Sequence, residues 1–77
     1  MLRHGRYRFY FYSHEASEPA HIHVDRDDRS AKLWLDPVEV RRNHGFRPPK
    51  LRRIFRIVRA NRRRLLEPWD AHHEPRR

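Results

Sequence analysis

Apolar and polar residues alternate with the period of a strand through the first half of the chain and with a helical period through the second. Residues 6–13, Arg-Tyr-Arg-Phe-Tyr-Phe-Tyr-Ser, are aromatic and free of breakers, which predicts a strand. Tyr7, Phe9 and Phe11 share one face of it, and Arg8, Tyr10 and Tyr12 the other. Residues 14–20, containing Ser17, Glu18 and Pro19, read as a loop. A second strand follows over 21–25, with Ile22 and Val24 on one face and His21, His23 and Asp25 on the other. Asp27-Asp28-Arg29-Ser30 is rich in residues that bond their own backbone and reads as a turn. Residues 31–35 alternate again, Leu33 and Leu35 inward, Lys32 and Trp34 outward, and Asp36-Pro37 breaks the run. Residues 38–42 fit a fourth short strand; a single helical turn is the competing reading, because Asp then Pro also starts helices.

Asn43-His44-Gly45 forms the next turn, with Phe46 anchoring it to the core. Pro48-Pro49 opens a helix, where a missing N–H costs little. Leu51, Ile54, Phe55, Val58, Leu65, Leu66 and Trp69 then follow helical spacing, with a polar gap at Asn61-Arg62. Pro68 is expected to end or kink this helix near Leu66-Glu67. The pattern predicts an α+β fold: an antiparallel meander of three to four strands over 6–42, one C-terminal amphipathic helix over about 48–67 packed on one face, and a frayed tail over 70–77. Phe9, Phe11, Ile22, Val24, Leu33 and Leu35 would form the covered face. Tyr10, Tyr12, His21, His23, Asp25, Lys32 and Trp34 would line a free one, joined by Glu39 and Arg41 if 38–42 is a strand.

At 77 residues the chain is a single domain, 1–77, with a thin core, so a homo- or hetero-oligomer is expected to help it fold. Cysteine is absent, which excludes disulfides, Cys-ligated zinc and a thiol nucleophile. No apolar run approaches a membrane span, and the N-terminus lacks the apolar stretch of a signal peptide; a cytoplasmic protein with no membrane partner is expected. The net charge of +9 is unevenly placed. Residues 1–47 carry 9 basic and 7 acidic side chains, whereas residues 48–77 carry 10 and 3. An excess of this kind implies an anionic partner, nucleic acid or an acidic protein; a solvated arginine face kept for solubility is the plainer reading.

Three chemistries suit the expected free face. Histidine as a residue type can take and give protons at physiological pH, so His21 and His23 are candidates for acid–base catalysis, as a ribonuclease would need, with Lys32 holding phosphate and Tyr10, Tyr12 or Trp34 stacking a base. The same His-x-His pair with Glu18 or Asp25 offers two nitrogens and a carboxylate to a metal, but no resident metal or cofactor is assigned. Tyr10, Tyr12 and Trp34 are also the residue types of a protein interface, the partner-binding reading. Against all three stands a structural role, cross-strand pairing that stiffens a sheet.

The helix carries a separate signal. Lys50, Arg52, Arg53, Arg56, Arg59, Arg62, Arg63 and Arg64 lie between Pro48 and Leu66 without a single acid. Arg52, Arg56, Arg59 and Arg63 form one stripe, the candidate nucleic-acid-binding residues, since like charges so placed repel unless an anion sits against them. Helix-turn-helix spacing is missing.

Taken together, Tyr7-Arg8-Phe9 to Ser13, Glu18 to Val24, Ala31 to Glu39, Asn43 to Phe46 and Leu65 to Trp69 resemble a small bacterial domain of unknown function, family 4160 (DUF 4160). The matched positions are Glu18, His21, His23, Lys32, Trp34, Asp36, Pro37, Asn43, Gly45 and Phe46. Ala20, Pro48 and Pro68 depart from the family's usual residues, and the acid-free helix departs from its usual mixture. Such domains are similar to stand-alone genes beside a second family of unknown function, 2442. The resemblance therefore implies a toxin–antitoxin module in which this type is the toxin, neutralised by a small acidic antitoxin and acting on nucleic acid, RNA above all. The alternative is a non-enzymatic protein- or nucleic-acid-binding module with a regulatory role.

Overall fold

The computed structural model describes residues 2–12 and 18–73. Ser13 of the first expected strand, residues 14–17 of the expected loop, and 74–77 of the expected tail lie outside the described residues. The elements are β1 (Leu2–His4), β2 (Tyr7–Tyr10), β3 (His21–Arg26), β4 (Arg29–Leu35), β5 (Val38–His44), α1 (Pro48–Ala60) and α2 (Arg62–His73). The architecture is α+β, as the periodicities require. The strands form one antiparallel meander in chain order, and helices cover one face. The four expected strands are present, and the short arm β1 adds a fifth beside β2.

Residues 38–42 are strand, the first of the two readings: β5 pairs with β4 along its length. The pairing slips between Lys32 and Leu33, so that Leu33 faces Val40 while Lys32 faces Arg42. Arg41 is the extra residue of this bulge, and Arg42 takes the place beside Lys32 that simple alternation gives to Arg41. The strand ends where Asn43 closes on Phe46: its side-chain amide donates to the Phe46 carbonyl at 2.8 Å, and the Phe46 N–H donates back to Asn43 Oδ1 at 3.1 Å. Gly45 between them sits at φ +100°, where a Cβ would be strained and would stand 3.0 Å from Arg29 Cγ.

The inward residues are those that alternation selects. Tyr7, Phe9, Ile22, Val24, Ala31, Leu33 and Leu35 of the sheet meet Phe46, Ile54, Ile57, Val58 and Leu65 in one buried cluster, with Phe11, Leu51, Phe55 and Leu66 packed around it.

The single helix expected over 48–67 is instead two segments, and the second runs to His73. The break is local. The Asn61 side chain donates to the Ile57 carbonyl at 2.8 Å, competing with regular backbone bonding. The ladder resumes at once, with the Leu65 N–H on the Asn61 carbonyl. Arg62 then donates from Nε to the Leu35 carbonyl at 2.7 Å and pairs through Nη2 with Asp36 Oδ1 at 2.7 Å, tying the junction to the β4–β5 turn. Pro68 does not end α2, although it forfeits a backbone bond. Its neighbour Trp69 is buried, 5% exposed, and anchors the last turns, so residues 70–73 are helical rather than frayed. No helix among the described residues is long and apolar enough to cross a membrane.

Leu33 lies at the centre of the cluster with no exposure. Leu33→Ala is expected to cost about 2–5 kcal/mol, from lost burial and the cavity left behind. Urea unfolding should show a lower midpoint with an unchanged slope.

Candidate functional site

The face opposite the core cluster is a lattice set by strand register. One row runs Tyr10, His23, Lys32, Arg42 across β2 to β5. A second, toward one end, runs Arg8, Asp25, Ser30, His44, and a third, toward the other, runs His21, Trp34, Glu39. The neighbours expected for the histidines, Tyr10, Tyr12, Lys32 and Trp34, are therefore brought together.

The face is not free. His21 has no exposure and Lys32 only 7%. Strand alternation pointed both outward; α2 overrides it. Beyond the Asn61 junction, Trp69 reaches the end of the sheet and sets its ring edge-on to His21, centroids 4.7 Å apart, and edge-on to Phe11 at 5.4 Å. The Trp34 ring, 5.9 Å away, and the His23 ring, 5.1 Å away, close around the same imidazole. His21 Nδ1 lies 2.9 Å from the Pro19 carbonyl oxygen, which accepts its proton. Lys32 donates to Glu18 Oε1 and holds its ammonium 5.2 Å from the Trp34 ring centre. Glu18 Oε1 is also 3.8 Å from His21 Nδ1. Glu18 and Pro19 thus fold the strand's leading segment back over the two candidate catalytic groups.

His23 is the more accessible imidazole, partly exposed beside Tyr12, which is 45% exposed. It stacks on Tyr10 at 5.4 Å with rings nearly parallel, and lies 5.1 Å from the tilted Tyr12 ring. Tyr10 donates its hydroxyl to Asp25 Oδ2 at 3.0 Å, and Arg8 approaches the same oxygen at 3.6 Å. Burial raises the Tyr10 phenol above its ordinary value; hydrogen bonding to Tyr12 and Asp25 and the Asp25 charge raise it further. Of the three aromatics assigned to a partner, only Tyr12 is strongly presented; Tyr10 and Trp34 are half-buried in ring contacts.

Arg52, Arg56, Arg59 and Arg63 are all exposed, on the side of the helices away from the sheet. The stripe is not next to the histidines, so the catalytic and phosphate-binding residues grouped by sequence reasoning occupy two separate surfaces. Two residues that matter here were unassigned. Arg62 was one cation among eight, yet it is the tether to Leu35 and Asp36. Trp69 was a core position, yet it seals His21. The polar gap at Asn61-Arg62 was the available signal for the first.

The arrangement restricts the chemistry. A proton relay through His21 would need Trp69 or the Glu18-Pro19 segment to move, and the Lys32 ammonium already holds a carboxylate. Among the described residues, no three or more His, Asp or Glu side chains are gathered as a metal site requires.

Two outcomes test this description. His21→Ala removes a fully buried ring and its bond to Pro19 and is expected to cost about 2–4 kcal/mol, against about 1 kcal/mol or less for His23→Ala. Equal melting temperatures for the two variants would contradict it. Tyr10 should ionise above its ordinary value of 10.0. The folded state then holds this proton more tightly than the unfolded state, so the stability it supplies is intact below pH 10.0 and falls as pH rises beyond it. Ultraviolet titration of phenolate should show a late-ionising tyrosine that is absent in Tyr10→Phe.

Comparison with known proteins locates the chain in a family but not in a function. No curated protein and no solved structure matches it. The model of one family, described as a domain of unknown function (DUF4160), matches residues 7–70, from β2 to the middle of α2. With the match covering β2 to β5, the histidine pair, α1 and most of α2, the chain belongs to the DUF4160 family.

Proposed function

We propose that this protein is a nucleic-acid-binding module that engages a phosphate backbone through the exposed face of its helices. The observation that carries the reading is the stripe Arg52, Arg56, Arg59 and Arg63, exposed on a segment with no acid from Pro48 to Leu66. Arg52, Arg56 and Arg59 lie along about 10 Å of α1, and Arg63 follows on α2 beyond the Asn61 break. A line of like charges suits a regular polyanion, and guanidinium binds phosphate oxygens in pairs. Neither helix has an acid in its first turn, and Glu67, one turn beyond Arg63, is the first acid the helices carry. Binding rather than catalysis is favoured because His21 and Lys32 are enclosed.

The family resemblance directs this chemistry toward the toxin of a bacterial toxin–antitoxin module, with RNA as the target and a small acidic antitoxin as the partner. A specific feature supports the protein partner. Val40, Pro48, Leu51, Arg52 and Phe55 line an apolar groove of ≈ 230 Å³ beside the stripe, between α1 and the edge strand β5. An acidic protein that seats an apolar side chain there would cover the arginines and displace nucleic acid.

Replacing the four arginines by glutamine is expected to weaken binding of a labelled single-stranded RNA and to flatten the dependence of log K on log salt by up to about 3. Fluorescence anisotropy across a salt series measures both. An unchanged slope makes the stripe a solvated face. RNA cleavage that disappears in His23→Ala would replace the binding reading with a catalytic one.

A further inference from the structure

A second cationic feature lies apart from the stripe. Gly5, Arg6, Tyr7, Arg26, Lys50 and Arg53 line a recess of ≈ 330 Å³ between the β1–β2 turn, the end of β3 and the first turns of α1. Four of these six residues carry cationic side chains, and none carries a carboxylate. The ion pairs among the described residues join Arg8 to Asp25, Glu18 to His21 and Lys32, and Arg62 to Asp36; none reaches into the recess.

Arg26 is the most constrained of the four. Its guanidinium lies over the Tyr7 ring, 5.2 Å from the centre, and donates from Nη1 to the Tyr7 hydroxyl at 3.3 Å. Its Nε is buried and has no hydrogen-bond partner among the described residues. A buried donor without an acceptor, on a charged group, is costly. Arg6, Lys50 and Arg53 are exposed and converge on the same space, so their mutual repulsion adds to that cost. One compact anion seated among these cations would relieve the repulsion.

We propose that this recess binds a phosphate monoester through Arg6, Arg26, Lys50 and Arg53. A monoester carries close to two charges near neutrality and at least three acceptor oxygens, enough to meet several cations at once. A phosphodiester carries one charge and suits the open stripe instead. The recess is at the small end of ligand sites, with room for a phosphate and the group that carries it. The free anion and the 5′-phosphate of a nucleic-acid strand share this chemistry. The seat stands on its own cations and does not depend on the stripe.

The test uses the whole chain and three probes: inorganic phosphate, a 5′-phosphorylated oligonucleotide, and the same oligonucleotide with a 5′-hydroxyl. Inorganic phosphate should shift the Arg26 Nε–H and Gly5 amide resonances. The 5′-phosphorylated strand should bind about tenfold more tightly than the 5′-hydroxyl strand, a difference of about 1.4 kcal/mol. Lys50→Gln with Arg53→Gln, both exposed positions, should abolish the shifts and the preference. Inorganic phosphate bound as tightly as the strand end identifies the free anion as ligand. If no resonance shifts and the two strands bind equally, the seat does not exist. The stripe variant separates this proposal from the preceding one: it should weaken both strands alike and leave the phosphate-induced shifts in place.

Discussion

The bond from Arg62 to the Leu35 carbonyl ties the helical layer to the sheet at the point where its two segments meet. The helix is interrupted at Asn61, whose backbone N–H and side chain both donate to the Ile57 carbonyl, and Arg62 ties the interruption to the β4–β5 turn. α1 keeps Ile54, Ile57 and Val58 on the core, while α2 sends Leu65 inward and Trp69 past the end of the sheet. A chain this small buries only a thin core. Closing His21 between Trp69, Trp34 and His23 extends the packed region onto the opposite face and adds aromatic contacts there.

This closure changes what the histidine pair can be. Residues two apart on a strand share a face, but they need not share an environment. His21 lies under Trp69 with its Nδ1 on the Pro19 carbonyl, whereas His23 is stacked on Tyr10 near the surface. Lys32 pairs with Glu18, the carboxylate that also lies near His21. The segment from Glu18 to Val24 therefore acts as a latch on the end of the sheet. Other surfaces present themselves more openly: the arginine stripe, the recess around Arg26 and the apolar groove between α1 and β5.

Alternation made most of the fold readable. Ile22, Val24, Leu33 and Leu35 point inward because a pleated strand leaves them no choice once one face is apolar. The 38–42 segment was ambiguous because Asp-Pro starts helices as well as ending strands, and pairing with β4 resolved it. Pro68 misled because propensity is local, and the burial of Trp69 outweighs one lost backbone bond. The site was readable as a set of residues and not as a geometry: register gathered Tyr10, His23, Lys32 and Trp34 as expected, and nothing in a period of two reveals that a helix will return over His21.

By itself the amino-acid sequence determined the α+β class, the inward residues of each strand, the exposed arginine stripe and the resemblance to its family, because each depends on local periodicity or composition. Tertiary structure alone decided that Arg41 is bulged out of β5, that Arg62 is a tether, that His21 is sealed by Trp69, and that Arg6, Arg26, Lys50 and Arg53 share one recess. Those facts join residues far apart in the chain, and the packing of the helices on the sheet is what brings them together.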